Sequence, residues 1–249
     1  MVVCESIGHP PLPAARVTGP LQYSRLSQQL GPGAIQITVV FPCYNEENRL
    51  PASLATVQRY LRSRALSYEV LTVDDGSTDA TAEVAETAAN ADRGVRLVRL
   101  GVNAGKGTAS ALGARHATGS WILSSDADLS TPIEALKDFV PYLSQGYDIV
   151  IGSRALADSR LVVRRAWWRE RVRRAMNAAI RSGAWLPFRD TQCGFKLYSR
   201  DAGQTIFPLL TTRRWLFDAE ALLLRRECGT SGGRWYRYSS AVTVLASIT

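Results

Sequence analysis

Asp126 and Asp128 stand one residue apart just after the apolar run Trp121-Ile122-Leu123. Side chains of an extended chain alternate between two faces, so two carboxylates at this spacing leave a strand on the same side. Like charges held that close require a cation. A carboxylate pair together with a substrate phosphate is a common way to hold Mg²⁺ or Mn²⁺. A turn with a helix cap after it would use the same residue types. These two residues alone do not choose between the readings.

Four more polar clusters carry residue types with chemistry: Pro42–Glu46, Asp74–Asp79, Asn103–Gly107 and Ser153–Arg154. Asp74-Asp75-Gly76-Ser77 offers a fixed acceptor for a uracil N3–H or a ribose hydroxyl, or else a turn and a cap. Asn103-Ala104-Gly105-Lys106-Gly107 fits a backbone that approaches a ligand closely, with Lys106 near a phosphate; a turn capped by Asn103 is the competing reading. The stretch is not a Walker loop. Counted from Gly101, its Gly-Lys step comes one residue early, and Gly107 stands where a Mg²⁺-binding Ser or Thr belongs. Nor is it a dinucleotide fingerprint, because Ser110 occupies the place of the third glycine. His116 reads as a helix-surface residue rather than a catalytic base.

The elements that must position these clusters follow from periodicity. Ile35–Phe41 reads as a buried strand, and Tyr68–Val73, Val95–Leu100, Trp121–Ser125 and Asp148–Ile151 read as further strands. Between them lie helical patterns. In the first, Asn45 is placed as the cap and Leu50, Leu54, Val57 and Leu61 form the apolar stripe. An alanine-rich helix runs to about Asn90, another through Ala117, and a third from Pro132 in its first turn to about Ser144. Such alternation predicts an α/β fold with a mostly parallel central sheet flanked by helices. Ligands of such sheets bind at the carboxyl ends of the strands, and every one of the five clusters falls there.

Beyond Arg154 the pattern loosens. Eight arginines between Arg160 and Arg181 are set against one acid, Glu170, and surround Trp167-Trp168. That mixture suits an interfacial helix on anionic lipid, favoured here over nucleic acid. A loop at Arg189–Gly194 enters a short strand, and Arg214–Glu220 opens a helix through about Arg226. Residues 1–33, rich in Pro and Gly, read as a disordered leader. Residues 229–249, rich in Gly, Ser and Thr, form an atypical tail.

With 249 residues, 46% hydrophobic, the chain has ample material for a globular core. Its net charge of +8 favours phosphate-bearing partners. The four cysteines form no CxxC pair, which argues against zinc and for a reduced, intracellular chain. No run approaches the 18 apolar residues of a spanning helix, and no secretory signal is visible.

Taken together, Phe41–Glu46, Val73–Asp79, Asn103–Gly107, Asp126-x-Asp128 and Gly152-Ser153-Arg154 resemble the motifs of the inverting GT-A glycosyltransferases of family 2. Arg189-Asp-Thr-Gln-Cys-Gly-Phe-Lys196 and Arg214-Trp-x-Phe-Asp-x-Glu220 are similar to those of the dolichyl or polyprenyl phosphate β-glucosyltransferases, relatives of the mannosyltransferases. The resemblance implies a GT-A (Rossmann-like) domain over 34–228 that transfers glucose from UDP-glucose to a polyprenyl phosphate with inversion. It implies Pro42, Asn45, Glu46, Asp74, Asp75 and Lys106 at the nucleotide sugar, and Asp126 and Asp128 at Mg²⁺ or Mn²⁺. Arg154, Arg169 and Lys196 fall at the acceptor phosphate, and Trp167 and Trp168 at the membrane surface. Asp126, Asp128, Arg154 and Lys196 are the expected catalytic set. Asp218 and Glu220 are expected to support the acceptor pocket. A GDP-mannose-dependent enzyme and a catalytically impaired nucleotide-sugar- or lipid-binding homologue are the alternatives. The protein is expected peripherally on the cytoplasmic face of the membrane, without nucleic acid as partner.

Overall fold

The computed structural model describes residues 36–143, 147–152, 193–214 and 216–228. The leader, the tail, and Arg154, Trp167, Trp168 and Arg169 lie outside the described residues. In chain order the elements are β1 (Ile37–Cys43), α1 (Leu50–Ser63), β2 (Tyr68–Asp75), α2 (Thr81–Ala91), β3 (Val95–Leu100) and α3 (Lys106–His116). Then come β4 (Trp121–Ser124), a 3₁₀ turn (Ile133–Ala135) running into α4 (Leu136–Leu143), β5 (Ile149–Ile151) and β6 (Lys196–Ser199). The short helix α5 (Arg200–Ile206), a second 3₁₀ turn (Phe207–Leu209) and α6 (Phe217–Cys228) complete the set.

One six-stranded sheet in the order β3-β2-β1-β4-β6-β5 joins them. β1 pairs in parallel with both β2 and β4, and β2 pairs in parallel with β3. The strand at Lys196–Ser199 inserts between β4 and β5 and is antiparallel to each. The parallel alternation therefore ends at β4. Because β6 opposes both neighbours, β4 and β5 still run the same way and their carboxyl ends share one rim. The chain winds outward from β1 through β2 to β3, then returns to the other side of β1 with β4. That reversal opens a crevice at the carboxyl ends of β1 and β4, where ligands of such sheets bind.

Alternation along each strand divides the core in two. Val39, Phe41, Leu123 and Leu197 face α1 and α4 in the larger cluster, with Phe139 edge-on to Phe195 at 5.3 Å between ring centroids. Val40, Val73, Ile122 and Tyr198 face the opposite way onto Ala109, Phe207 and Phe217. Burying β-branched and aromatic side chains on both faces is what a parallel sheet covered by helices requires.

Several local expectations shift. β1 continues through Pro42 to Cys43, in register with Val73 and Asp74 of β2. α1 starts at Leu50 after Arg49, with no side-chain cap, so Asn45 does not cap it. Pro132 precedes a 3₁₀ turn instead of opening the α-helix.

The amino-terminal edge is tied by Asp92. Its carboxylate accepts hydrogen bonds from Gln58 Nε2 (2.5 Å), Arg62 (2.7 Å), the Tyr68 hydroxyl (2.7 Å) and the Gly94 N–H (2.8 Å). Burial alone would raise its pKa; the Gly94 N–H, Tyr68, Gln58 and Arg62 outweigh it and hold the carboxyl below the usual range. A carboxyl depressed on folding contributes stability that is present above its unfolded value near pH 4 and is lost as pH falls through its folded one. Wild type should therefore exceed Asp92→Asn in melting temperature near pH 7, with the gap closing as pH falls below about 4. A gap that stays constant across a pH series of thermal melts contradicts the assignment.

Candidate active site

The loops that leave β1 and β2 are sewn to each other. Asn45 holds φ of +56°, a left-handed conformation that asparagine tolerates better than most residues. Its Oδ1 accepts from the Thr78 N–H at 2.9 Å, while its own N–H donates to Ser77 Oγ at 3.0 Å. The Glu46 N–H donates to Thr81 Oγ1 (2.7 Å) and the Glu47 N–H to Asp79 (3.2 Å). The Ala80 N–H returns the link by donating to the Glu47 carboxylate at 2.9 Å. Asn45 is thus a fixture of the rim.

The glycine loop is held from two sides. Asp75 is buried, and its two carboxylate oxygens accept the N–H groups of Ala104 (2.8 Å) and Gly105 (2.9 Å). Asp74, also buried, accepts the Ser77 N–H at 3.0 Å and pairs with Arg99 at 3.4 Å. On the far side the Gly107 N–H donates to the Arg213 carbonyl at 2.8 Å. Gly105, at φ +99°, leaves no room for a Cβ, which would strike that same carbonyl. The close neighbour these glycines admit is therefore the protein's own 212–213 segment. Glu220 holds that segment in turn, accepting from the N–H groups of Thr211 (2.9 Å) and Thr212 (2.7 Å).

The charged groups converge at the mouth of the β1–β4 crevice. β4 ends at Ser124, and residues 126–129 form a turn closed by the Leu129 N–H on the Asp126 carbonyl at 3.0 Å. The two aspartates therefore leave a turn and not the pleat of a strand. Asp128 also serves the turn, its Oδ1 accepting the Ser130 N–H at 2.9 Å and the Ser130 hydroxyl at 2.6 Å. Lys106, mostly buried, pairs with Asp126 Oδ1 and lies 5.8 Å from the Phe217 ring centre. Burial pulls its pKa down, but Asp126, Asp218 and Asp128 together hold it above the usual lysine value. Glu46 is shifted upward, chiefly by burial and also by the charges of Asp128 and Asp126, against the opposing pull of Arg49. Asp126 and Asp128 thus act on both Lys106 and Glu46.

Behind them lies a second pair. Lys196 is wholly buried, donates to the Cys193 carbonyl at 2.6 Å and pairs with Asp218 of α6. Asp218 and a main-chain carbonyl hold its ammonium, at the position where the resemblance implied an acceptor phosphate. The asparagine and aspartates of the rim were visible in the sequence. Asp79 was visible only as the end of a polar cluster, and Thr81, Thr211 and Thr212 were not singled out; Thr211 and Thr212 lie between a 3₁₀ turn and α6, with no strand end beside them.

The donor set suits a hard divalent ion: it is made of carboxylate oxygens, with Glu46 raised chiefly by burial and further by the charges of Asp128 and Asp126. Among the described residues no three His, Cys, Asp or Glu side chains form a closed cage. A Mg²⁺-like ion is ordinarily held by one or two carboxylates plus substrate phosphates, so Asp126 and Asp128 fit that use.

Comparison with known proteins agrees with the fold. The profile of Glycosyl transferase family 2 matches residues 38–207. The chain is 36% identical over 204 residues to a human dolichyl-phosphate beta-glucosyltransferase, spanning 76% of this chain and 62% of that one. It is 34% identical over 205 residues to its namesake from Dictyostelium discoideum, spanning 78% and 63%. The chain thus spans less than two thirds of the length of these curated relatives. Among solved structures it resembles glucosyl-3-phosphoglycerate synthase from Mycobacterium tuberculosis, crystallised with Mn²⁺, UDP-glucose and phosphoglyceric acid (TM-score 0.58, 21% identity, 85% of this chain and 70% of that one). Mannosyl-3-phosphoglycerate synthase from Rubrobacter xylanophilus superposes with a TM-score of 0.55 at 20% identity, covering 74% of this chain and 59% of that one. The fold is that of the GT-A glycosyltransferases, and the chain belongs to glycosyl transferase family 2.

Asp75→Asn replaces one of the two acceptor oxygens with an N–H donor facing a main-chain N–H. It should cost about 1–3 kcal/mol in thermal or denaturant unfolding. Hydrogen exchange at Ala104 and Gly105 should accelerate in the same variant. Unchanged exchange at both amides would show that Asp75 does not hold the loop.

Proposed function

We propose that this protein transfers glucose from UDP-glucose to dolichyl or another polyprenyl phosphate, inverting the anomeric centre, at the cytoplasmic membrane surface. The observation that carries the reading is the convergence of Asp126, Asp128, Lys106 and Glu46 at the β1–β4 crevice of a family 2 glycosyltransferase fold. The sugar and the lipid acceptor are taken from the names of relatives at 34–36% identity.

In this reading Pro42, Asn45 and Glu46 line the nucleoside end of the crevice. Asp74 and Asp75 shape it by holding the turn after β2 and the 103–105 loop. Asp126 and Asp128 would hold Mg²⁺ or Mn²⁺, which supplies positive charge to the departing diphosphate. Lys106, already placed against Asp126, contributes its own cation on the same side. A phosphate monoester oxygen is anionic at neutral pH, so the acceptor needs no general base. His116 is exposed at the far end of α3, in keeping with that chemistry. What remains for the protein is in-line positioning and charge stabilisation. Attack from the face opposite UDP converts the α-linked donor into a β-linked lipid phosphate sugar. Arg154 and Arg169 are assigned to the acceptor phosphate and Trp167 and Trp168 to the bilayer; all four lie outside the described residues. Among the described residues no helix is long and apolar enough to cross a membrane.

The test is incubation of the full chain with labelled nucleotide sugars, polyprenyl phosphate and Mn²⁺ or Mg²⁺. Labelled lipid should form from UDP-glucose, and Asp128→Ala should lower the rate by at least about 100-fold while the protein stays folded. Label arriving only from GDP-mannose overturns the donor. UDP binding without turnover of any donor overturns the catalytic reading.

A further inference from the structure

Gly194 lies where the chain passes directly behind Asp126. A Cβ built on Gly194 would stand 2.6 Å from Asp126 Oδ2, 2.8 Å from Oδ1 and 2.9 Å from Cγ. Real side chains do not approach so closely, so any residue other than glycine must turn the carboxylate or push the segment back. The same carboxylate is paired with Lys106 through Oδ1. Two residues further along, Lys196 is wholly buried, with its ammonium on Asp218 and on the carbonyl of Cys193, the residue just before Gly194. Cys193 and Phe195 are buried as well. The segment 193–196 is thus locked at both ends, and Gly194 is the point where it meets the site.

We propose that Gly194 is a positioning residue for Asp126: its bare main chain forms the back wall of the carboxylate, and the Lys196–Asp218 pair keeps that wall in place. This rests on the assignment of Asp126 to the cation. It gives Lys196 a task other than contact with the acceptor phosphate. Lys196 supports the metal-binding geometry from behind, through the main chain of Cys193 and Gly194. Asp218, from α6, brings the end of the described chain into the same support. Removing both charges together avoids leaving one of them buried and alone. Residues that orient a metal-binding carboxylate typically cost 10- to 100-fold in metal affinity when changed.

The experiment is Mn²⁺ titration by electron paramagnetic resonance, with UDP present, on wild type, Gly194→Ala and the double variant Lys196→Met/Asp218→Leu. Thermal unfolding is recorded for each. Gly194→Ala should weaken Mn²⁺ binding by about 10- to 100-fold with a cooperative melt retained. The double variant should weaken it in the same direction, and kcat should fall in both with KM for the lipid acceptor little changed. If Gly194→Ala does not fold, the double variant decides. Wild-type Mn²⁺ affinity in a folded Gly194→Ala, or in the double variant where that one is unfolded, overturns the inference and leaves the proposed function standing. A lowered melting temperature with unchanged Mn²⁺ affinity means a structural role alone and also overturns it. Absence of Mn²⁺ binding by wild type overturns both.

Discussion

A run of alternating charge underlies the site: Asp126 paired with Lys106, and behind them Asp218 paired with Lys196. The two pairs are coupled, since Asp218 as well as Asp126 acts on the Lys106 ammonium. Buried charge is expensive, and breaking such a pair by removing one partner costs about 3–5 kcal/mol because the other charge is left unpaired. An apolar pair could fill the Lys196–Asp218 space at least as stably. A charged pair there makes sense as a fixture: it joins the start of β6 to the first turn of α6, and through Cys193 it fixes the wall behind Asp126. The sheet order supplies the reason this matters. β6 lies beside β4, with Lys196 in register with Ser124, so its start reaches the strand end from which the aspartates project.

The rim is preorganised by the same economy of means. Polar side chains satisfy the main-chain groups of neighbouring segments: Asn45 accepts from Thr78, Thr81 from Glu46, Asp75 from Ala104 and Gly105, and Glu220 of α6 from Thr211 and Thr212. Loops at the carboxyl ends of a parallel sheet have no ladder to complete, and their N–H groups must find partners. Here those partners come from neighbouring segments. The consequence is a crevice whose shape exists before a ligand arrives, which is what a reaction relying on positioning and charge stabilisation needs.

Much of this was legible in the sequence. Apolar patterning placed the starts of β2 and β3, and the bounds of β3 agree residue for residue. Four of the five polar clusters stand at the carboxyl ends of β1 to β4, and Ser153–Arg154 lies outside the described residues. The antiparallel insertion of β6 was not legible, because a four-residue strand has no periodicity to report its neighbours or its direction. Asn45 carried an ambiguous signal: a residue suited to capping is equally suited to a left-handed turn, and only the arrival of Thr78 decides. The glycines of 105–107 announced a close approach but not by what; the approaching group is the carbonyl of Arg213, more than a hundred residues away in the chain. The partner of Lys196 was hidden for a related reason. Its motif says that a cation is needed, and only the packing of α6 shows that Asp218 receives it.

The central claim is that Asp126 and Asp128 hold a divalent cation at the β1–β4 crevice. The most direct measurement is anomalous diffraction at the manganese edge from crystals grown with Mn²⁺ and UDP. The account predicts one strong peak within coordination distance of an Asp126 or Asp128 carboxylate oxygen and of the diphosphate. A bound UDP with no manganese beside either aspartate, or a manganese held elsewhere on the chain, would contradict it.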